Sequence, residues 1–457
     1  MMETLTKPRR SRFWFLFAFL MALIMARYAL QLDIPRILFL IVVAAIALWG
    51  DRDEIIAICM CLIPMHESLD FFYAMVICFA VYVFKYHQQL RFGTNVILVV
   101  LIAVWELLHC FFTPFSIVFF LTCVIPFIIL AILIASDLKN IDYPFIVRAF
   151  AWSVLGVSIM LFVRVLYFAN FNIALALAGL QRMGLDNQSN VEDVEILGGQ
   201  IHPNSLGVIA VLASTGLMQL RHLKVSQTSD IVIMCIIIVF AALSASRTYL
   251  ACLALMVILL IFSEKGDFKR KIRLTVTLGL TIATAVIAFI VLFPDTFLYY
   301  ISRFFVTDIS TGRDALFARY NEFIIDNPRV LFFGVGLQDY GDRLVYLYRV
   351  AANVPHNLIQ EIVVSWGIPG LILFSGQIIS MFGVSYRKNP NQSLINWIPL
   401  IIILFKGMAG QIITSPYTML AISFAYLSLS QDLSGTEEPN DQGYNSVEQP
   451  KYNKNMF

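Results

Sequence analysis

Charge is scarce in this chain. Asp, Glu, Lys and Arg together make up 14% of its 457 residues, against about 25% in an ordinary soluble domain. A body solvated on all sides is therefore excluded. The net charge is only +2, and no basic stripe with interleaved aromatics occurs, which removes nucleic acid from the expected partners. The seven cysteines are Cys59, Cys61, Cys78, Cys110, Cys123, Cys235 and Cys252. All lie in or beside apolar runs, and the Cys59–Cys61 spacing is too short for a CxxC metal clasp. They read as small packing residues, with no disulfide framework implied. Also missing are a serine nucleophile elbow, a Walker loop and an HExxH helix. There is no tandem repeat and no low-complexity block.

Hydrophobic sequence takes the place of charge, at 59% of the chain. Apolar runs of about 15 to 20 residues recur throughout, which specifies an all-α polytopic membrane protein with about 12–14 transmembrane helices. Spans are expected at about 13–31, 36–50, 54–64, 68–85, 95–112, 116–135, 144–168, 204–220, 230–244, 248–262, 274–293, 357–383, 394–406 and 411–430. The basic, then apolar, start resembles a signal peptide but lacks a small-residue cleavage site, so it is expected to be retained as the first span. Every second loop is basic: Lys7, Arg9, Arg10 and Arg12; Arg52; Lys85 and Arg91; Lys139; Arg221 and Lys224; Lys265 through Arg273; Arg387 and Lys388. By the positive-inside rule this alternation puts both termini in the cytoplasm. One membrane domain then covers 1–430, with long outer loops at about 169–203 and 294–356. The polar stretch 431–457 has no hydrophobic period and is expected to be a disordered cytoplasmic tail.

Against that pattern, some arginines fall on the outer side: Arg182, Arg247, Arg303, Arg313, Arg319, Arg329, Arg343 and Arg349. Arg27 and Lys406, near outer ends of spans, are expected to snorkel to headgroups. Arg247 is different, because it sits in a short turn beside Ser244, Ala245 and Ser246 and needs an anionic partner there, a structural ion pair being the alternative. Thr311 opens a soluble-type helix in which Thr311 and Asp314 fit a capping box. Leu316, Phe317, Tyr320, Phe323 and Ile324 give this helix an apolar face suited to the membrane surface, and Asn327-Pro328 ends it. Arg313 falls in its first turn, where the dipole does not favour a cation, which suggests an anion clamp; solvated surface charge is the alternative. Gly334-Val335-Gly336 reads as a tight turn. Pro355-His356-Asn357 opens the next span and puts His356 in its first turn, as base or merely as cap. Gly367, Pro369 and Gly370 predict a kink after a short helix, with His356 and Glu361 facing a cavity.

The other outer loop offers Glu192, Asp193 and Glu195, which read as solvated acids, and His202-Pro203-Asn204 leading into a span. Glu106 and His109 share one helix face and are expected either to serve function or to satisfy each other. Asp51-Arg52-Asp53 has the look of a metal-binding DxD but falls on the cytoplasmic side.

Taken in order, Ser246-Arg247-Thr248, Gly312-Arg313 opening an amphipathic helix, Asn327-Pro328, Gly334-Val335-Gly336 and Pro355-His356-Asn357 with Gly367 and Gly370 resemble the shared signature of Wzy-type O-antigen polymerases and O-antigen ligases. Pro203-Asn204 is similar too, and the resemblance is sharpest over about 200–372. One departure is Ser365-Trp366-Gly367, where the family often has an acid before the glycine; Glu361 is the acid left to this chain.

The resemblance implies a GT-C-like membrane fold in the bacterial inner membrane and a metal-independent glycosyl transfer at its outer face, with no cofactor. It implies a glycan on undecaprenyl diphosphate as donor, with Arg247 and Arg313 holding the diphosphate and His356 acting on the acceptor or leaving group. Arg182, Arg319, Asn357, Glu361, His202 and Asn204 are the accompanying substrate-binding positions. The expected function is polymerisation of lipid-linked repeat units, beside a chain-length regulator and a flippase as partners. The alternatives are a ligase acting on lipid A-core and, from another class, a transporter of lipid-linked sugars. The last would show paired broken helices in both halves, and the break at Pro369 has no counterpart in the first half.

Overall fold

The computed structural model describes residues 10–65, 69–109, 111, 117–138, 140–168, 170–172, 203–242, 246–263, 272, 276, 280, 287, 290–291, 294–301, 313–337, 355–408, 410 and 416–433. Among these the regular structure is helical throughout. The order is α1 Ser11–Ile24, running into a π turn at Met25–Ala29, α2 Ile37–Trp49, α3 Arg52–Leu62, α4 Leu69–Tyr86, α5 Thr94–His109, α6 Ile117–Ala135 and α7 Tyr143–Phe168. It continues with α8 Pro203–His222, α9 Thr228–Ala242, α10 Arg247–Ser263, α11 Pro294–Ile301, α12 Arg313–Asp326, α13 Pro328–Phe333, α14 Leu358–Lys388, α15 Leu394–Met408 and α16 Pro416–Leu429. Each expected span on described residues has its helix, within about a turn of the expected bounds. The expected span 274–293 lies almost wholly outside the described residues, as do most of the two long loops and the polar tail.

Among the described residues, three helical stretches are long and apolar enough to cross a membrane: Ser11–Ala29, Tyr143–Tyr167 and Leu358–Lys388. The rest are shorter, and α3 shows how a short one is accommodated. Its 11 residues rise only about 16 Å, yet every residue from Ile55 to Met65 is buried. A helix enclosed by protein need not match the lipid thickness, because its ends are satisfied by neighbours. The chain is an all-α polytopic membrane protein.

Hydrogen bonds sort the helix ends into two sets. At one end Arg10 pairs with Asp53 at 3.0 Å and with Asp142 at 3.6 Å. Arg52 donates to the Asp137 and Asn140 carbonyls, Arg148 binds Asp230 and the Val225 carbonyl, and Gln431 reaches the Leu138 carbonyl. Residues 10, 51–53, 137–148, 225–230 and 431 therefore share one end, here called the basic end. At the opposite end α5 finishes against residues 333–337 and Trp366, and α8 and α10 begin. The alternation expected from the loops is present; which end faces the cytoplasm is a matter of charge rather than of packing.

Candidate functional site

Three segments at the end opposite the basic one carry the expected site residues. The first is the paired start of α8 and α10. Ser246 caps α10: its hydroxyl accepts from Tyr249 N at 3.1 Å and donates to Asn204 Oδ1 at 2.6 Å. Arg247, half-buried, is thus the first helical residue of α10. The helices can start this close together because Gly207 has no side chain. A Cβ there would stand 2.6 Å from Tyr249 Cβ. Asn204, expected to touch substrate, here also positions the residue beside Arg247.

The second segment is the start of α14. Asn357 is its N-cap, with extended backbone and Oδ1 accepting from Ile359 N at 3.0 Å and Gln360 N at 3.3 Å. His356 therefore precedes the helix and is not in its first turn, a correction to the expected position. Asn caps better than His because its short carbonyl reaches the orphan N–H groups. Glu361 is fully buried one turn in. The expected kink is present: Gly367 has φ 67° and ψ −164°, a conformation that favours glycine, and Pro369 follows where a missing N–H is tolerated.

The third segment is α12, α13 and the glycine turn. Leu316, Tyr320, Phe323 and Ile324 of α12 pack with Val330, Val335 and Val364. The stripe that suited the membrane surface is thus covered by protein, and only Phe317 of the five is exposed. Burial pushes the Tyr320 phenol pKa upward, so it stays neutral. Arg313 opens α12, although its side chain lies outside the described residues, as does Thr311 of the expected capping box. Gly334 and Gly336 have positive φ, and the turn lies directly on the kink. Val335 N donates to Val364 O at 2.8 Å and Gly336 N to Ser365 O at 2.7 Å. A Cβ at Gly334 would be 2.2 Å from Ser365 O, so backbone meets backbone and no side chain fits.

One side chain clasps the second segment to the third. Gln360 Nε2 donates to Phe317 O at 2.9 Å and to Asn321 Oδ1 at 2.8 Å. His356 lies four residues before Gln360 and Arg313 four before Phe317, so both stand near this clasp in the chain. Arg247 sits in its own junction with Asn204, on helices that pack together and against α15. Arg319 is exposed on α12. Arg182 and His202 lie outside the described residues, with Glu192, Asp193, Glu195, Arg303, Arg343 and Arg349.

One further expectation needs correction. Lys406 is 4% exposed, so it is buried in the bundle and does not snorkel. Glu106 and His109 each reach across to the glycine turn: Glu106 takes Leu337 N and Trp366 Nε1, and His109 Nε2 meets Phe333 O at 2.6 Å. The clasp residue Gln360 was missed in the sequence, although an amide in an otherwise apolar run one turn after Pro-His-Asn is a usable signal. Asp51 and Asp53, the DxD-like pair, are spent structurally. Asp51 forms a capping box with Glu54, and Asp53 holds Arg10 and accepts from Asp142 N. Among the described residues, no group of three or more His, Cys, Asp or Glu side chains is placed to hold a metal.

Residues 231–375 match the family described as O-Antigen ligase. That segment contains Arg247, Arg313, the glycine turn, His356 and the kink, while Asn204 and Glu106 lie upstream of it. No curated protein matches the chain. The match spans 231–375 of the 457 residues, and over that segment it supports involvement in O-antigen or polysaccharide assembly.

Proposed function

We propose that this protein polymerises glycan repeat units carried on a polyprenyl diphosphate, at the outer face of the bacterial inner membrane. The observation that carries the reading is the placement of Arg247 and Arg313 as first residues of two helices within the matched segment. A cation at a helix N-terminus gains nothing from the dipole; in this reading the lipid diphosphate is the anion that both arginines serve.

In this reading an acceptor sugar hydroxyl attacks the anomeric carbon of the donor glycan. The bond to the lipid diphosphate breaks, and the diphosphate leaves with its electron pair. The two guanidiniums offset the charge that grows on the leaving oxygens, each able to bridge two phosphate oxygens. His356, ahead of the Asn357 cap and free of helical geometry, takes the hydroxyl proton or orients the hydroxyl. Asn204, Asn357, Glu361 and Arg319, with Arg182 and His202 from the outer loop, contact the glycans. No residue in this scheme calls for a metal. A chain-length regulator and a flippase would act beside it.

A ligase is the second reading, favoured by the description of the matching family. Profiling of lipid-linked glycans in a deletion strain separates the two. Single repeat units on the carrier are expected here; long chains stranded on the carrier would instead establish a ligase. An unchanged profile, with repeat units on the wrong side of the membrane, would point to a transporter and end the proposal.

A further inference from the structure

The short helical segment 358–366 is the part of α14 ahead of the kink. Its direction is not inherited from the rest of the helix, because Gly367 interrupts the backbone course with φ 67°. Something else must fix it. On one side it is held by the Gln360 clasp to α12. On the other it is held from α5, a helix far upstream of the segment that matches the family.

Three residues of α5 make that connection. Trp105 Nε1 donates to Trp366 O at 2.9 Å, the carbonyl next to the break. Glu106, 1% exposed, accepts from Trp366 Nε1 at 2.7 Å. Its two oxygens also share Leu337 N–H, at 3.0 and 3.1 Å. One turn on, His109 Nε2 meets Phe333 O at 2.6 Å, while its Nδ1 meets Trp105 O at 2.8 Å. Glu106 thus ties the end of the glycine turn and the end of the pre-kink segment to the same carboxylate. The chemistry of the choice is specific. Leu337 N–H and Trp366 Nε1–H are both donors, and a carboxylate presents acceptor oxygens to both. A glutamine of the same size would turn an NH2 toward one of them. Burying a carboxylate in this environment is costly, and an apolar side chain in its place would take the acceptor away from the buried Leu337 N–H.

We infer that Glu106 is a positioning residue: through Leu337 and Trp366 it fixes the pre-kink segment, and with it His356, relative to the arginine-bearing helices. This rests on the reading of His356 as the acceptor-side residue. A loosening that moves the His356 side chain by about 1 Å is expected to cost on the order of tenfold to a hundredfold in kcat. KM for the lipid-linked donor stays the same, because the arginines are untouched.

The test uses full-length protein in lipid nanodiscs, comparing wild type, Glu106→Gln and Trp366→Phe, with a polyprenyl-diphosphate-linked repeat unit as substrate. Hydrogen exchange of peptides covering 328–337 and 355–366 is followed alongside kcat and KM. Both variants are expected to raise exchange in these two peptides while α3 and α7 keep their protection, and to lower kcat at constant KM. The double variant should be no worse than the worse single one, since both cut one tether. Unchanged exchange in the two peptides would overturn the inference, and so would raised exchange with wild-type kcat. A loss of protection throughout the bundle in both variants would also overturn it, because Glu106 would then be a folding residue. The exchange arm does not depend on the activity. A wild-type protein that protects these peptides but transfers no sugar, with or without acceptor, would refute the proposed function and leave the tether standing.

Discussion

The two ends of this bundle use the same residue types for opposite purposes. At the basic end, cations from one helix meet the carbonyl ends of others. Lys85 Nζ donates to Ala47 O, Leu48 O and Gly50 O at 3.1, 2.7 and 2.9 Å, closing the C-terminus of α2. Lys388 does the same for α6 through the Ile134 and Ser136 carbonyls, and Arg12 reaches Trp49 O. Each satisfies orphan acceptors and the negative pole of a helix dipole. At the other end, Arg247 and Arg313 begin helices, where the orphan groups are donors and the pole is positive. A cation that caps a C-terminus explains itself; one that opens a helix needs a partner from elsewhere, as Arg52 at the start of α3 finds in the Asp137 and Asn140 carbonyls. In the proposed reading the partner of Arg247 and Arg313 is the lipid diphosphate, where the cations of the basic end have protein carbonyls and carboxylates.

The largest expected effect lies at the helix starts. Arg247→Ala and Arg313→Ala should each cost about 2–4 kcal/mol of barrier, roughly a hundredfold or more in rate. Glycan chain length in complemented cells at matched membrane expression reads this out. Lysine should restore part of it, since a point charge cannot bridge two oxygens as a planar fork does. Exposed Arg329 on α13 is the control and should tolerate alanine. Normal chains from both arginine variants would erase the contrast between the two ends.

The glycine turn comes next. Gly334→Ala puts a Cβ on the Ser365 carbonyl at a positive φ, where neither partner is a flexible side chain. It should lower stability by about 3 kcal/mol, seen as a lowered thermal midpoint of the purified protein. A fully stable Gly334→Ala would mean that the turn and kink are not in direct backbone contact.

Lys388→Met sharpens the comparison from the other side. It removes the lysine donor from the Ile134 and Ser136 carbonyls, with the Tyr426 hydroxyl still on Ile134, and should cost about 1–3 kcal/mol of stability, while transfer per folded molecule stays at the wild-type level. A selective loss of turnover with unchanged melting would give the basic end a functional part. Smallest of all is the effect expected from excess chelator, which should leave the rate of purified enzyme unchanged. Activity lost with chelator and regained with magnesium or manganese would instead bring Glu192, Asp193 and Glu195 into the site as ligands.

The sequence by itself determined the class, the succession of helices and the alternation of their ends. Apolar run length and lysine and arginine placement are local properties, and lipid leaves a backbone little choice but to form helices. The kink at Gly367 was legible for the same reason, as were the helix beginning near Arg313 and the tight turn at Gly334-Val335-Gly336. Only the tertiary structure decided what these pieces touch. That the stripe of α12 faces Val330, Val335 and Val364 could not be read from a hydrophobic face that would suit lipid equally well. That Lys406 is buried depends on which neighbours cover the end of α15. Glu106 and His109 stood out as polar groups in an apolar helix. Their place on one helix face left a functional role or mutual satisfaction open, and the structure adds partners from Leu337, Trp366 and Phe333, more than 200 residues away in sequence. Spacing along a helix fixes which residues share a face; the partner across that face is chosen by long-range packing, which a single sequence does not encode in any local pattern.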